Sequence, residues 1–94
     1  MSVCIVLTTL PSQDIAREIA RSLVLEQLAA CVNVVPQVCS FYSWEGALQE
    51  EFECMLFIKT STEILTALQA RLFELHPYTL PEFLVLPIQE GSQR

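Results

Sequence analysis

The sequence predicts an α+β fold, one antiparallel sheet with two helices packed on one of its faces. Three observations predict it. The elements read in the order β-α-β-β-α-β, two split βαβ units that right-handed crossovers close into a single sandwich. The first strand is β-branched and apolar almost throughout, as a central strand is. Prolines fall in the second and last strands, and a proline inside a sheet is confined to edges and bulges. In this arrangement the second and fourth strands are the two edges.

Each element follows from local pattern. Val3–Thr9 reads as the central strand, buried on both faces, and Leu10-Pro11-Ser12 stops it. Ser12 can N-cap the first helix, and Asp14 suits the positive end of its dipole. Ile15, Ala16, Ile19, Ala20, Leu23 and Val24 recur at helical spacing, which carries the helix to about Leu28. Ala30–Trp44 is extended, with a bend or bulge at Pro36. Beyond the bend Ser40, Tyr42 and Trp44 share one face. Glu45–Glu50 is the hairpin connection, and Glu51–Thr60 returns with Phe52, Cys54, Leu56 and Ile58 on one face. Thr60-Ser61-Thr62-Glu63 fits a capping box ahead of a helix whose inner stripe is Leu65, Leu68, Leu72 and Leu75. His76-Pro77 ends that helix, and Phe83–Ile88 is the last strand.

With 94 residues the chain reads as one domain over 1–94. Apolar residues make up 52% and charged ones only 17%, which excludes intrinsic disorder. That leaves too little charge to coat a lone small sphere, so surplus apolar surface is expected to be buried in an oligomer. The net charge of -6 offers no basic footprint for nucleic acid and disfavours anionic membranes. No stretch suits a transmembrane helix, and Met1-Ser2 runs into the first strand without a signal-peptide pattern. The expectation is a cytoplasmic protein with reduced thiols.

Hydrolytic and nucleotide signatures are missing: no GxGxxG, no GxxxxGK[ST], no CxxC and no HExxH. The four cysteines are scattered, and such residues are usually small buried hydrophobes. Thiolate and imidazole are nonetheless soft ligands that suit copper, and Cys31 and His76 both stand at element ends, with Glu82 or water available to complete a shell. The bland alternative leaves His76 capping helix carbonyls. Glu45, Glu50, Glu51 and Glu53 read as a solvated acidic face that draws cations weakly. Tyr42, Trp44 and Tyr78 suit a subunit interface or a ligand pocket. Lys59, the only lysine, could pair with Glu82 or hold an anion.

Leu28-Ala29-Ala30-Cys31-Val32-Asn33, Tyr42-Ser43-Trp44-Glu45-Gly46, Ile58-Lys59-Thr60, and His76-Pro77-Tyr78 with Pro81-Glu82 together resemble the CutA family of divalent-cation tolerance proteins. The resemblance spans essentially the whole chain. It implies a ferredoxin-like subunit in a tight homotrimer, tolerance of copper and other divalent cations with copper binding possible, no required cofactor and no enzymatic activity. Cys31, Trp44, Glu45, Lys59, His76, Tyr78 and Glu82 fall on family motifs. Ala47 departs from the family pattern, which usually has lysine after the Trp-Glu-Gly turn. Likeness to PII signal-transduction proteins implies an alternative, a module that binds a small anion or a partner between subunits through Lys59 and the aromatics. An enzyme of acylphosphatase type would need an arginine-bearing loop after the first strand, and residues 8–13 contain neither arginine nor glycine.

Overall fold

The computed structural model describes residues Ser2–Ser92. Strand β1 (Val3–Leu10) leads to helix α1 (Gln13–Leu25), then β2 (Cys31–Trp44) and β3 (Ala47–Ser61) form a hairpin. A single 3₁₀ turn (Thr62–Ile64) opens helix α2 (Leu65–Leu75), and β4 (Leu84–Pro87) closes the sheet. The strands run antiparallel in the order β2-β3-β1-β4. The prolines therefore sit on the two edges, Pro36 in β2 and Pro87 at the end of β4, where a missing N–H costs the sheet least.

Both helices cover one face. Val6 and Leu10 of β1 join Cys54, Leu56 and Ile58 of β3 in one buried cluster with Ala16, Ile19 and Leu23 of α1 and Leu68 and Leu72 of α2. Full burial stabilises each leucine or isoleucine by roughly 1.5–3 kcal/mol, so this layer holds the fold. The other face lacks such cover. Ile5, Leu7, Met55 and Phe57 are only half-buried there. Leu84 and Leu86 of β4, register partners of Leu7 and Ile5, are exposed beside them. Strand β1 is central, but only one of its faces is buried within the chain. The expectation of burial on both faces fails because Val3, Ile5 and Leu7 meet no second layer, and of the odd-numbered residues only Thr9 is buried.

Three local expectations need correction. The hairpin connection is two residues, not six. Glu45 (φ 51°) and Gly46 (φ 78°) are both left-handed, the geometry of a type I′ turn, and Trp44 pairs directly with Ala47. Residues 47–50 therefore belong to β3. Helix α1 ends three residues before Leu28 because Gln27 turns left-handed (φ 61°). The Leu28 N–H then donates to the Leu23 carbonyl at 2.9 Å and the Gln27 N–H to the Val24 carbonyl at 3.0 Å, a Schellman closure. No capping box forms ahead of α2. Thr60 and Ser61 are still in β3, and the Thr60 hydroxyl donates to the Leu28 carbonyl at 2.9 Å.

The bulge at Pro36 is present. Val35 pairs with Met55 and Val38 with Glu53, so β2 spends one extra residue there, with Gln37 left-handed (φ 58°). Beyond this point the hairpin outruns the rest of the sheet. Strand β1 reaches β3 only as far as Cys54, so residues 38–53 form a two-stranded arm. Phe52, placed by alternation on the buried face, is 71% exposed because neither helix extends over the arm.

Candidate functional site

A concave groove lies on the open face, where the arm meets the loop after α2. Its floor comes from alternate residues of β3 and β2. Glu51, Glu53 and Met55 rise from β3, opposite Ser40, Val38 and Val35, while Tyr42 and Trp44 rise from the outer end of β2. Tyr78 and Glu82 form the far wall. The two-residue period of a strand puts both carboxylates on one side, and the tight turn keeps Tyr42 and Trp44 level with them.

Hydrogen bonds fix these groups. The Tyr42 hydroxyl donates to Glu51 Oε1 at 2.8 Å, and the Tyr78 hydroxyl to Glu53 Oε2 at 2.7 Å. Burial, the bond to Glu53 and nearby negative charge push the Tyr78 phenol well above the usual tyrosine range. Partial burial and then the Glu53 charge push the Glu82 carboxyl up.

His76 anchors the loop. It is buried, and its ring lies 4.8 Å from that of Tyr78. The Tyr78 backbone N–H, which can only donate, reaches Nδ1 at 3.1 Å. Nδ1 is therefore the acceptor, and the proton on Nε2 is donated to the Thr9 carbonyl at 2.8 Å. Burial pulls the imidazole pKa down from 6.5, against smaller upward pulls from the Thr9 bond and Glu53. The ring ties the end of α2 to β1 instead of capping helix carbonyls.

Apart from His76, buried against Thr9, the residues picked from sequence divide into three places. Tyr42, Trp44, Tyr78 and Glu82 line the groove. Glu45 occupies the hairpin turn. Cys31 and Lys59 are register partners at the opposite end of the sheet, both exposed. Lys59 is ten residues along β3 from Gln49, the partner of Tyr42, or roughly 33 Å. It forms no ion pair with Glu82 or any other described residue. Cys31 is level with Lys59, and the ring of His76 reaches Thr9, level with Met55. That is four residues of strand, roughly 13 Å, so one chain does not bring thiol and imidazole together. Among the described residues no group of three or more His, Cys, Asp or Glu converges to hold a metal ion.

Sequence reasoning treated Glu51 and Glu53 only as part of an acidic face. The signal that could have found them is their alternation, which sets them on the same side of the hairpin as Tyr42 and Trp44.

Sheet, helices and groove define the class: a small α+β protein with one antiparallel sheet, two helices on one side and the other side open. A family model described as CutA1 divalent ion tolerance protein matches residues 4–94, and the chain belongs to that family. The divalent-cation tolerance protein CutA of Thermus thermophilus is 49% identical over 89 residues, which cover 95% of this chain and 86% of that protein. A solved structure of the Thermus thermophilus divalent cation tolerance protein superposes with a TM-score of 0.94 at 48% identity, covering 97% of this chain and 88% of that one. A chloroplastic CutA protein of Arabidopsis thaliana is 41% identical over 90 residues, 96% of this chain and 50% of that protein. The chain spans about half the length of the plant and mammalian relatives it matches.

Proposed function

We propose that the chain acts in tolerance of divalent metal ions, copper included, as a homotrimer of ferredoxin-like subunits without enzymatic turnover. The family match over residues 4–94 carries this reading. The open sheet face supports the assembly: Ile5, Leu7, Phe57, Leu84 and Leu86 form an apolar layer that subunit packing would remove from water. In this reading residues 1–94 act as one domain, and they act in the cytoplasm. No described helix is long and apolar enough to cross a membrane.

Cys31, His76 and Glu82 do not fit a metal ion within one subunit, since the thiol is far from the imidazole and both ring nitrogens are already bonded. A copper site built on them would have to join Cys31 of one subunit to His76 or Glu82 of a neighbour. The imidazole would first have to release Tyr78 or Thr9. Calorimetric titration of the reduced protein with copper and zinc tests this, with Cys31→Ser and His76→Ala as controls. A real site releases protons on binding and loses most of its copper affinity in either variant. Unchanged affinity in both would remove these residues from the metal chemistry. The small-anion alternative has less support, because Lys59 is remote from the aromatics and three glutamates border the groove.

A further inference from the structure

We infer that the outward stripe of helix α1 docks antiparallel on the same stripe of a second copy of the chain, across a two-fold axis between Arg17 and Glu18. The helices lie on the side of the sheet away from its open face, so the proposed trimer leaves this stripe in solvent. Asp14, Arg17, Glu18 and Arg21 stand at i, i+3, i+4 and i+7, which puts them on one face of the helix. All four are exposed. Their face points away from Ala16, Ile19 and Leu23, the residues α1 buries in the core. Leu25 continues the stripe one turn on and is 74% exposed.

The order of charge selects the partner. Along the stripe the signs run minus, plus, minus, plus. Laid antiparallel on itself about its midpoint, the stripe sets Asp14 against Arg21 and Arg17 against Glu18, and the two-fold symmetry repeats both pairs. Laid parallel in register, it sets like against like. None of the four takes part in an ion pair among the described residues, where Arg71 is the base in every pair. The stripe is also locally neutral, two acids and two bases, in a chain whose net charge is -6. Like charge holds copies apart over the rest of the surface but not here. Beside the stripe, Ile15 of α1 and Leu75 of α2 are half-buried in a cleft between the helices, so docking has apolar surface to cover as well.

Exposed ion pairs are individually weak, and one helix face is a small interface, so this association belongs to concentrated protein. The contact needs only α1; the trimer decides whether it joins trimers or single chains. Sedimentation velocity of the full chain tests it, from micromolar to submillimolar concentration in about 0.15 M salt, where charges more than about 8 Å apart are screened. The basic unit is expected to give way to species of twice its mass or more. That unit is a single chain of 10.6 kDa or a trimer of three, so failure of the trimer is seen separately. Two double variants of unchanged net charge separate pattern from total charge. Arg17→Glu with Glu18→Arg keeps opposite signs in both antiparallel pairs and should associate as wild type does. Glu18→Arg with Arg21→Glu sets acid against acid and base against base, and should associate at least about tenfold more weakly. Glutamate and arginine are both good helix formers, so α1 persists in each variant. A unit that never doubles, or equal association of the two variants, would overturn the inference.

Discussion

Thr8 lies on the helix-covered face of β1, fully buried, and its hydroxyl has no hydrogen-bond partner among the described residues. An orphaned buried hydroxyl carries a desolvation cost that a methyl group of the same shape does not. Thr8→Val is therefore expected to stabilise the protein by about 1 kcal/mol in urea denaturation. A loss of stability would show that the hydroxyl has a partner after all. His76 gives a pH dependence. Its pKa is lowered in the folded state, while the unfolded chain takes up a proton near the ordinary value of about 6.5. The native state then binds fewer protons in this range, so the contribution is full above pH ~6.5 and shrinks as pH falls toward the folded pKa. Protonation would also set an Nδ1 proton against the Tyr78 N–H. The single histidine should titrate below its usual range by NMR. Melting temperature should fall between pH 7 and pH 5 more steeply in wild type than in His76→Gln. Glu82, with its raised pKa, acts in the opposite sense, so the comparison is cleanest in a Glu82→Gln background. An imidazole midpoint at or above 6.5 would contradict the assignment.

Helix α1 ends on a residue type that favours other backbone conformations. Gln27 occupies the left-handed position of the Schellman closure, where a side chain costs roughly 1–2 kcal/mol and glycine costs nothing. Glycine gives back roughly 0.5–1 kcal/mol through its looser unfolded chain. Gln27→Gly should thus raise stability by up to about 1 kcal/mol, read as a higher melting temperature. A fall would mean that the Gln27 side chain itself holds the turn. The same residue shows what was legible in sequence. Element order, edge strands and the Pro36 bulge followed from periodicity and from proline, whose constraints are local. The helix end did not, because glutamine gives no stop signal. Nor did the tight turn, because Glu45 does not announce a left-handed conformation. At the site, Tyr42, Trp44 and Tyr78, read from sequence as suiting an interface or a pocket, line one groove. The likeness to PII proteins groups Lys59 with them, and Cys31 is grouped with His76 because both stand at element ends. Which end of the sheet each occupies depends on strand register over long distances, and local pattern does not encode it.

The molecule measures 44 × 26 × 22 Å, elongated because the arm projects past β1. Its open face sets the expected assembly. Light scattering should report a trimer of about 32 kDa, three times the 10.6 kDa chain. Phe57→Glu, which puts a charge in the middle of the apolar layer, should shift the population to smaller species without unfolding the helix-covered core. A trimer that survives this substitution would place the contact elsewhere. The short reach of β1 has a consequence for isotope exchange. Residues 55–59 of β3 have a strand on both sides, whereas 47–53 have only β2. In a lone chain the outward amides of 47–53 face solvent and swap hydrogen for deuterium quickly, while those of 55–59 wait for the sheet to open. If neighbouring subunits cover the arm, protection along 47–53 rises with protein concentration and that of 55–59 stays level, so one segment of a single strand records association and the next records folding.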